Sequence, residues 1–323
     1  MRRVAGLVAS ALGTFLIVLA LLLHFYVAGQ AIKFPLNENT VSTLTASNVS
    51  YFSASQLTEE TGVDMTDTTT TQGDVAGSNS SDAVWNEFSY LYDTTNSQPF
   101  QYTLQRLAFD RRSAELVNCC GAYVGTNTHL KASGLGYVWP FNAQKKTYQV
   151  FNTTLLKTEP ATYQGTAVVD GENTYIYVEN VSPSQSGTQT VPGALVGMND
   201  QQTVTLGEYF QGTTTDWVDP VTGAPVKVET KQHVYLANSS GTPVLTLLNA
   251  DFTTTPATVA AAVKTAKSDD TKVSLITVIL PVVIGLAGLI FLVIGIVLLR
   301  SRNEYDEYDE SSAEDYEGGE VPA

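Results

Sequence analysis

The sequence predicts a membrane protein in which N- and C-terminal transmembrane helices flank a β-rich (α+β, mainly antiparallel) extracytoplasmic domain. Three observations carry that prediction. Two long apolar runs, Val4–Ala28 and Val273–Leu299, lie near the two ends of the 323-residue chain. The segment between them is polar and rich in Ser, Thr and Asn. Its apolar residues recur in short runs punctuated by turn residues, the pattern of antiparallel strands.

Each run is long enough to span. A helix rises about 1.5 Å per residue, so roughly 20 apolar residues cross a hydrocarbon core of about 30 Å. A cleavable signal peptide competes for the first run, because Arg2 and Arg3 precede it. A signal h-region is about 7–15 residues long, whereas this run continues to Tyr26 and Val27 without an A-x-A site, so it is read as an anchor. Arg2 and Arg3 before the first helix and Arg300 and Arg302 after the second place both termini in the cytoplasm of a plasma-membrane protein. The expected organisation is 1–3 cytoplasmic, 4–28 transmembrane, 29–272 extracytoplasmic, 273–299 transmembrane and 300–323 an acidic, disordered cytoplasmic tail. A GPI signal would end in its hydrophobic tail, whereas here the polar residues 300–323 follow.

Within helix 4–28, Ala5, Ala9 and Gly13 recur at four-residue spacing, with Gly6, Ser10 and Thr14 one step round. Small residues let helix backbones approach closely. Packing against Gly285, Gly288 and Gly295 of the second helix is the first reading and homodimerisation the second. His24, beside Tyr26, is read as a wetted interfacial side chain rather than a proton relay. Residues 29–82 are expected to be partly flexible: Thr68–Thr71 is unbroken and Ser78–Ser81 follows, although Val41, Leu44, Val49, Tyr51 and Phe52 can supply a strand.

Beyond Trp85 several hairpins can be named. Thr147–Phe151 and Thr166–Val169 read as strands, and Asp170-Gly171 turns the chain into Thr174–Val178. Trp217-Val218 enters the turn Asp219-Pro220-Val221-Thr222-Gly223, after which Val226–Leu236 is the longest expected strand. Asn238-Ser239-Ser240-Gly241 then turns into Val244–Leu248. Thr255-Pro256 opens an Ala-rich helix to about Lys267, and Pro281 is expected to kink the second membrane helix.

Composition excludes several functions. A formal charge of −15 with no basic stripe argues against nucleic acid as a partner. His24, His129 and His233 stand outside any metal-ligand spacing, and no G-x-S-x-G elbow, P-loop or dinucleotide fingerprint occurs. A protein that is not an enzyme, with no catalytic, cofactor or metal residues, is therefore expected. Arg111 and Arg112, after Asp110, are read as an anion or partner contact weighed against a strand-end turn; Lys145 and Lys146 as a headgroup contact weighed against a solvated hairpin end. Trp217 reads as packing. For Cys119-Cys120 three states compete: a vicinal disulfide, which ranks first, intermolecular bridges, and a buried reduced pair. In the tail, nine acids follow Arg302, and Tyr305, Tyr308 and Tyr316 are candidates for phosphorylation or for docking a basic partner, against a plain solubilising tail.

Phe109-Asp110-Arg111-Arg112-Ser113, Tyr137–Tyr148, Pro160–Gly165 and Trp217–Gly223, in this order between two apolar ends, resemble the actinobacterial two-helix membrane family labelled porin PorA-like. The resemblance covers almost the whole chain. It implies an envelope-facing domain held at the cytoplasmic membrane, and no particular substrate. The expected function is a non-enzymatic cell-envelope protein presenting a ligand- or partner-binding ectodomain, with a lipid or glycolipid as one candidate ligand. A subunit of an oligomeric channel or transport assembly is the alternative, and an envelope enzyme a minor one. Its partners would be the membrane itself, an envelope lipid or protein, and further copies of the chain.

Overall fold

The computed structural model describes residues 2–300 as two units, 33–270 and the two terminal helical segments. In the first, a chain dense in Thr, Val and Tyr builds a single antiparallel sheet of twelve strands. They are β1 Asn39–Ser53, β2 Thr58–Gly73, β3 Asp82–Asp93, β4 Gln98–Asp110, β5 Leu116–Val117 and β6 Tyr123–Val124. Then come β7 Tyr148–Asn152, β8 Lys157–Val169, β9 Glu172–Pro192, β10 Thr203–Val218, β11 Pro225–Ala237 and β12 Pro243–Thr254. The order β5-β4-β3-β2-β1-β12-β11-β10-β9-β8-β7, with β6 also on β4, makes two meanders joined where β1 pairs β12.

The sheet curls into a half-barrel. Register shifts at Ala46/Val49, at Tyr163/Gly165 and at Phe210/Gly212 insert the extra residues that bend strands. The two edges meet through Leu135, which bridges Glu115 on one side and Val150 on the other. Its N–H donates to the Gln149 carbonyl at 2.8 Å, and its own carbonyl accepts from Phe151 at 2.8 Å. Both outermost strands are short, which limits the unpaired backbone at the rim.

One face of the sheet is concave because side chains from distant strands touch across it. Trp85, Leu107 and Phe109 share a buried cluster with Tyr148, Tyr177 and Val218, and Phe34, Leu135 and Trp139 fill the space between. Trp139 stacks on Tyr177 with ring centroids 4.0 Å apart. A second cluster, Val49, Tyr51, Val63, Met65, Leu91, Leu248 and Phe252, lies further along the same face. On the other face α3, Pro256–Ser274, packs Val259, Val263 and Ala266 on Val226, Trp217 and Val169. Thr255 caps it, its Oγ1 accepting from the Thr258 N–H at 3.3 Å.

Two expectations about the strands need correction. The threonine run Thr68–Thr71, expected within a partly flexible stretch, lies inside β2, because β-branched residues fit a strand paired on both sides. The longest strand is β9, with 21 residues, rather than Val226–Leu236; its Ser- and Gln-rich half has little alternation but is paired along its length with β10. The Asp170-Gly171 turn does hold both residues at positive φ, 47° and 76°.

The second unit contains α1 Arg2–Leu22, a π-turn Leu23–Val27 and α2 Ala28–Ala31, with a π-turn Leu275–Ile279 and α4 Leu280–Arg300. Both helical segments are long and apolar enough to cross a membrane. Contact runs along Gly6, Ser10 and Gly13 of α1 against Gly288 and Gly295 of α4. Ala5, expected on this stripe, faces outward, because a helix turns about 100° per residue and the buried line follows Gly6 instead. Gly285 lies against Ala20.

Pro281 has no N–H to give the carbonyl four residues before it, that of Thr277. His24 Nδ1 meets that carbonyl at 2.8 Å. The histidine expected to be merely wetted is therefore a cross-helix partner, and the helix accommodates Pro281 through the π-turn just before it. A Cβ on Gly13 would stand 2.5 Å from the Leu292 nitrogen and 2.7 Å from the Gly288 carbonyl. Gly13→Leu is expected to abolish disulfide cross-linking between cysteines introduced at Ala20 and Gly285, whose Cβ atoms would stand 3.6 Å apart, whereas Gly29→Leu, which meets open space, leaves that cross-link intact.

Candidate functional site

Between the two apolar clusters the concave face turns polar. Strand alternation places it there: Trp85 and Leu91 point inward, so Glu87 and Ser89 between them do too. Pairing across the sheet carries the same phase to Thr71, Thr69 and Asp67 on β2 and to Gln105 and Thr103 on β4. In the other meander, inward Tyr177 pairs with Asp216, and Glu179 pairs with Thr214. Four carboxylates, Asp67, Glu87, Glu179 and Asp216, therefore line the concave face at mid-depth.

The hydrogen-bond donors that three of them meet are neutral. Gln105 Nε2 donates to Glu87 Oε1 at 2.8 Å and Thr71 Oγ1 to Oε2 at 3.4 Å. Ser89 donates to Asp67 Oδ1 at 2.5 Å, and Asn152 Nδ2 to Glu179 Oε1 at 3.0 Å. Among the described residues the ion pairs lie elsewhere: Arg106–Asp74, Lys157–Glu159, Lys227–Glu229 and Lys231–Asp251. Loss of hydration, then the charge of Asp67, pushes the Glu87 carboxyl up to about 7. Loss of hydration, then Glu179, does the same for Asp216, also to about 7. Burial raises Asp67 and Glu179 as well. Perturbed carboxyls gathered in a concavity mark a candidate functional site. Chemically, the band offers hydrogen-bond acceptors to cations and polar solutes, and it changes charge near neutrality.

At the second apolar cluster, a cleft of about 220 Å³ opens between Phe52, Phe100, Val234, Leu247 and Leu248, with Gln189 and Glu208 on its wall. Gln189 Nε2 donates to Glu208 Oε2 at 2.9 Å.

The site residues anticipated from the sequence do not converge. Cys119 and Cys120 are joined by a vicinal disulfide in the loop after β5, with Cys120 at φ 61°. The Cys120 carbonyl accepts from Arg106 Nε at 3.0 Å. Arg111 donates from Nε to the Phe34 carbonyl at 2.7 Å, so its guanidinium ties the start of the domain to the end of β4. Asp110 Oδ1 accepts from the N–H groups of Arg112 and Ser113, the strand-end turn, and Arg112 is exposed. Lys145 lies 5.4 Å over the ring of Tyr175, and Lys146 4.8 Å over that of Tyr148. Trp217 packs beneath α3, with Lys227 Nζ 4.3 Å over its ring. Tyr305, Tyr308 and Tyr316 lie outside the described residues.

The family model described as Porin PorA matches residues 5–297, nearly the whole chain. The chain belongs to the Porin PorA family. No curated protein matches it. In this PorA-family member the sequence reading missed the acidic band, because its members lie on four strands between Asp67 and Asp216. A signal was nevertheless present: in Trp85-x-Glu87-x-Ser89-x-Leu91 an acid and a serine occupy the inward phase of a strand whose other inward positions are large and apolar.

Proposed function

We propose that this porin-family protein is a subunit of an oligomeric channel or transport assembly in the cell envelope and is not an enzyme. Helices 4–28 and 273–299 anchor it in the cytoplasmic membrane, with both termini inside and residues 29–272 outside. The supporting observation is the half-barrel's concave face, where carboxylates without ionic partners form a polar band. The two meanders already meet over the cluster around Leu135 and Trp139, so the passage is read as one surrounded by several copies rather than enclosed by one domain. Inward carboxylates favour cations and repel anions within that passage. The carboxyls at about 7 make the preference depend on pH near neutrality.

The test uses full-length protein purified in detergent, with native mass spectrometry for stoichiometry and planar bilayers for conductance. The expected result is a stable oligomer whose cation conductance falls as pH drops below 7 and falls in Glu87→Gln/Asp216→Asn. A monomer without conductance overturns the proposal.

The cleft between Phe52, Phe100 and Leu248, with Gln189 and Glu208 on its wall, is the observation behind a second reading, a carrier for an envelope lipid or glycolipid held there. The same mass spectra discriminate: a specific retained lipid, lost in Leu248→Gln, supports the carrier over the channel.

A further inference from the structure

Apart from the concave band, three other acids converge from three elements of the β-domain. Glu172 opens β9 just after the Asp170-Gly171 turn, Asp219 opens the β10–β11 loop, and Asp270 lies on α3. One carboxylate oxygen from each stands within 4.8 Å of the others. Asp219 is completely buried and Glu172 is 8% exposed.

These acids are held in place but not neutralised. Asp219 accepts from the Val221 N–H at 3.2 Å, from the Thr222 N–H at 2.9 Å and from the Thr222 hydroxyl. Lys267 donates to the Asp170 carbonyl at 3.1 Å, steadying the turn that carries Glu172. Two observations point to a cation as their partner. Asp270 Oδ1 is buried with no hydrogen-bond partner. Among the described residues Glu172, a residue nine-tenths buried, takes part in no side-chain hydrogen bond or ion pair, and its carboxylate is aimed at the other two. Carboxylates this close, with two of the three residues buried, repel one another and must take up either protons or a cation.

We propose that Glu172, Asp219 and Asp270 form a binding site for a divalent cation, with calcium as its ion. The donor set is oxygen only, which suits hard cations and not zinc or copper. Calcium accepts irregular shells of about 6–8 oxygens at about 2.3–2.6 Å, so oxygens on opposite sides of one ion stand about 4.8 Å apart. The observed spacing fits within such a shell, and water completes it. The bound ion ties the β8–β9 turn, the β10–β11 loop and α3 together. The rival occupant is a proton shared between Asp219 and Asp270, since desolvation and the neighbouring carboxylates raise the Asp270 carboxyl.

Full-length protein in detergent, stripped with EDTA and desalted, is titrated with terbium, which reports binding by luminescence sensitised from a nearby indole. Trp217 is two residues from Asp219, at most about 7 Å along the backbone. The expected result is a saturable terbium signal displaced by calcium, together with a higher melting temperature in calcium than in EDTA. Glu172→Gln and Asp270→Asn, chosen because neither removes the Asp219 turn, are each expected to weaken calcium binding at least tenfold. Circular dichroism verifies that these variants are folded. Equal melting temperatures in EDTA and calcium, with a terbium signal unchanged in both variants, overturn the site in favour of the shared proton. If neither variant folds, the comparison of wild-type protein in EDTA and in calcium decides alone. None of these readouts depends on channel or carrier activity.

Discussion

Acidification from pH 8 to pH 5 is expected to raise the melting temperature of the β-domain. Glu87 and Asp216 titrate at about 7 in the folded chain, against about 4.3 and 3.9 for free Glu and Asp. Between those values the folded state holds protons that the unfolded state has released, so stability falls as pH rises through this window and is flat above it. Burial raises Asp67 and Glu179 as well, in the same direction. The opposite trend begins only at lower pH. At Asp93 and Asp110 burial is outweighed by hydrogen bonds to the ionised carboxylates, so their contribution is lost in acid, and a maximum near pH 4–5 follows.

Each of Glu87 and Asp216 accounts for on the order of 2 kcal/mol of this pH dependence. Glu87→Gln and Asp216→Asn should therefore stabilise the protein at pH 8, by about 2–4 °C per kcal/mol for a domain of this size, and have little effect at pH 5. Gln105 can turn its amide to suit a glutamine at 87, because it meets Glu87 end-on. Thermal melts in EDTA at the two pH values decide. A wild-type protein that is more stable at pH 8 than at pH 5 contradicts the assignment of these groups.

Gly223→Ala is expected to cost about 3–5 kcal/mol and to open the floor of the half-barrel. Gly223 sits at φ 75°, a region that side chains other than glycine's rarely occupy. Space is lacking too: a Cβ there would overlap the Trp139 carbonyl and stand 2.8 Å from that of Pro140. Relieving that overlap pulls apart the 2.9 Å bond from the Trp139 N–H to the Gly223 carbonyl, and Trp139 carries the stack on Tyr177. Gly187→Ala is the control, since its Cβ meets nothing within 4 Å. In urea melts the Gly223 variant should lose most of the transition midpoint while the Gly187 variant stays within about 0.5 kcal/mol of wild type.

The two long apolar helices, the hairpin turns and the antiparallel class were legible because each has a local signature: length of apolar run, the Asp-Gly and Asn-Ser-Ser-Gly turns, short alternating segments. The sheet's curl was not, because it depends on Leu135 bridging Glu115, just before β5, and Val150 of β7 at once, which no local pattern encodes. The stripe on α1 was visible as small residues, but the choice of Gly6 over Ala5 needed the phase at which α4 meets it. Pro281 foretold a disturbed helix; that His24 would take up the freed carbonyl depended on two segments 253 residues apart. The candidate site was the least legible, since acids in a polar chain are unremarkable until register shows which of them point inward. Of the arginine pair, which drew notice by its charge, the Arg111 guanidinium donates to the Phe34 carbonyl, while the main-chain N–H of Arg112 donates to Asp110.

The pairing of β1 with β12 also governs how the domain is made. Every other main pairing joins strands that are neighbours in the chain, so each hairpin can assemble as soon as its second half is synthesised. β1 is made first and its inner partner last, about 190 residues later. Throughout that interval β1 presents fifteen residues of unpaired backbone edge on one side. Its Thr- and Ser-rich outer half, and the Asn48 bulge at φ 58°, make that waiting edge a poor template for other chains.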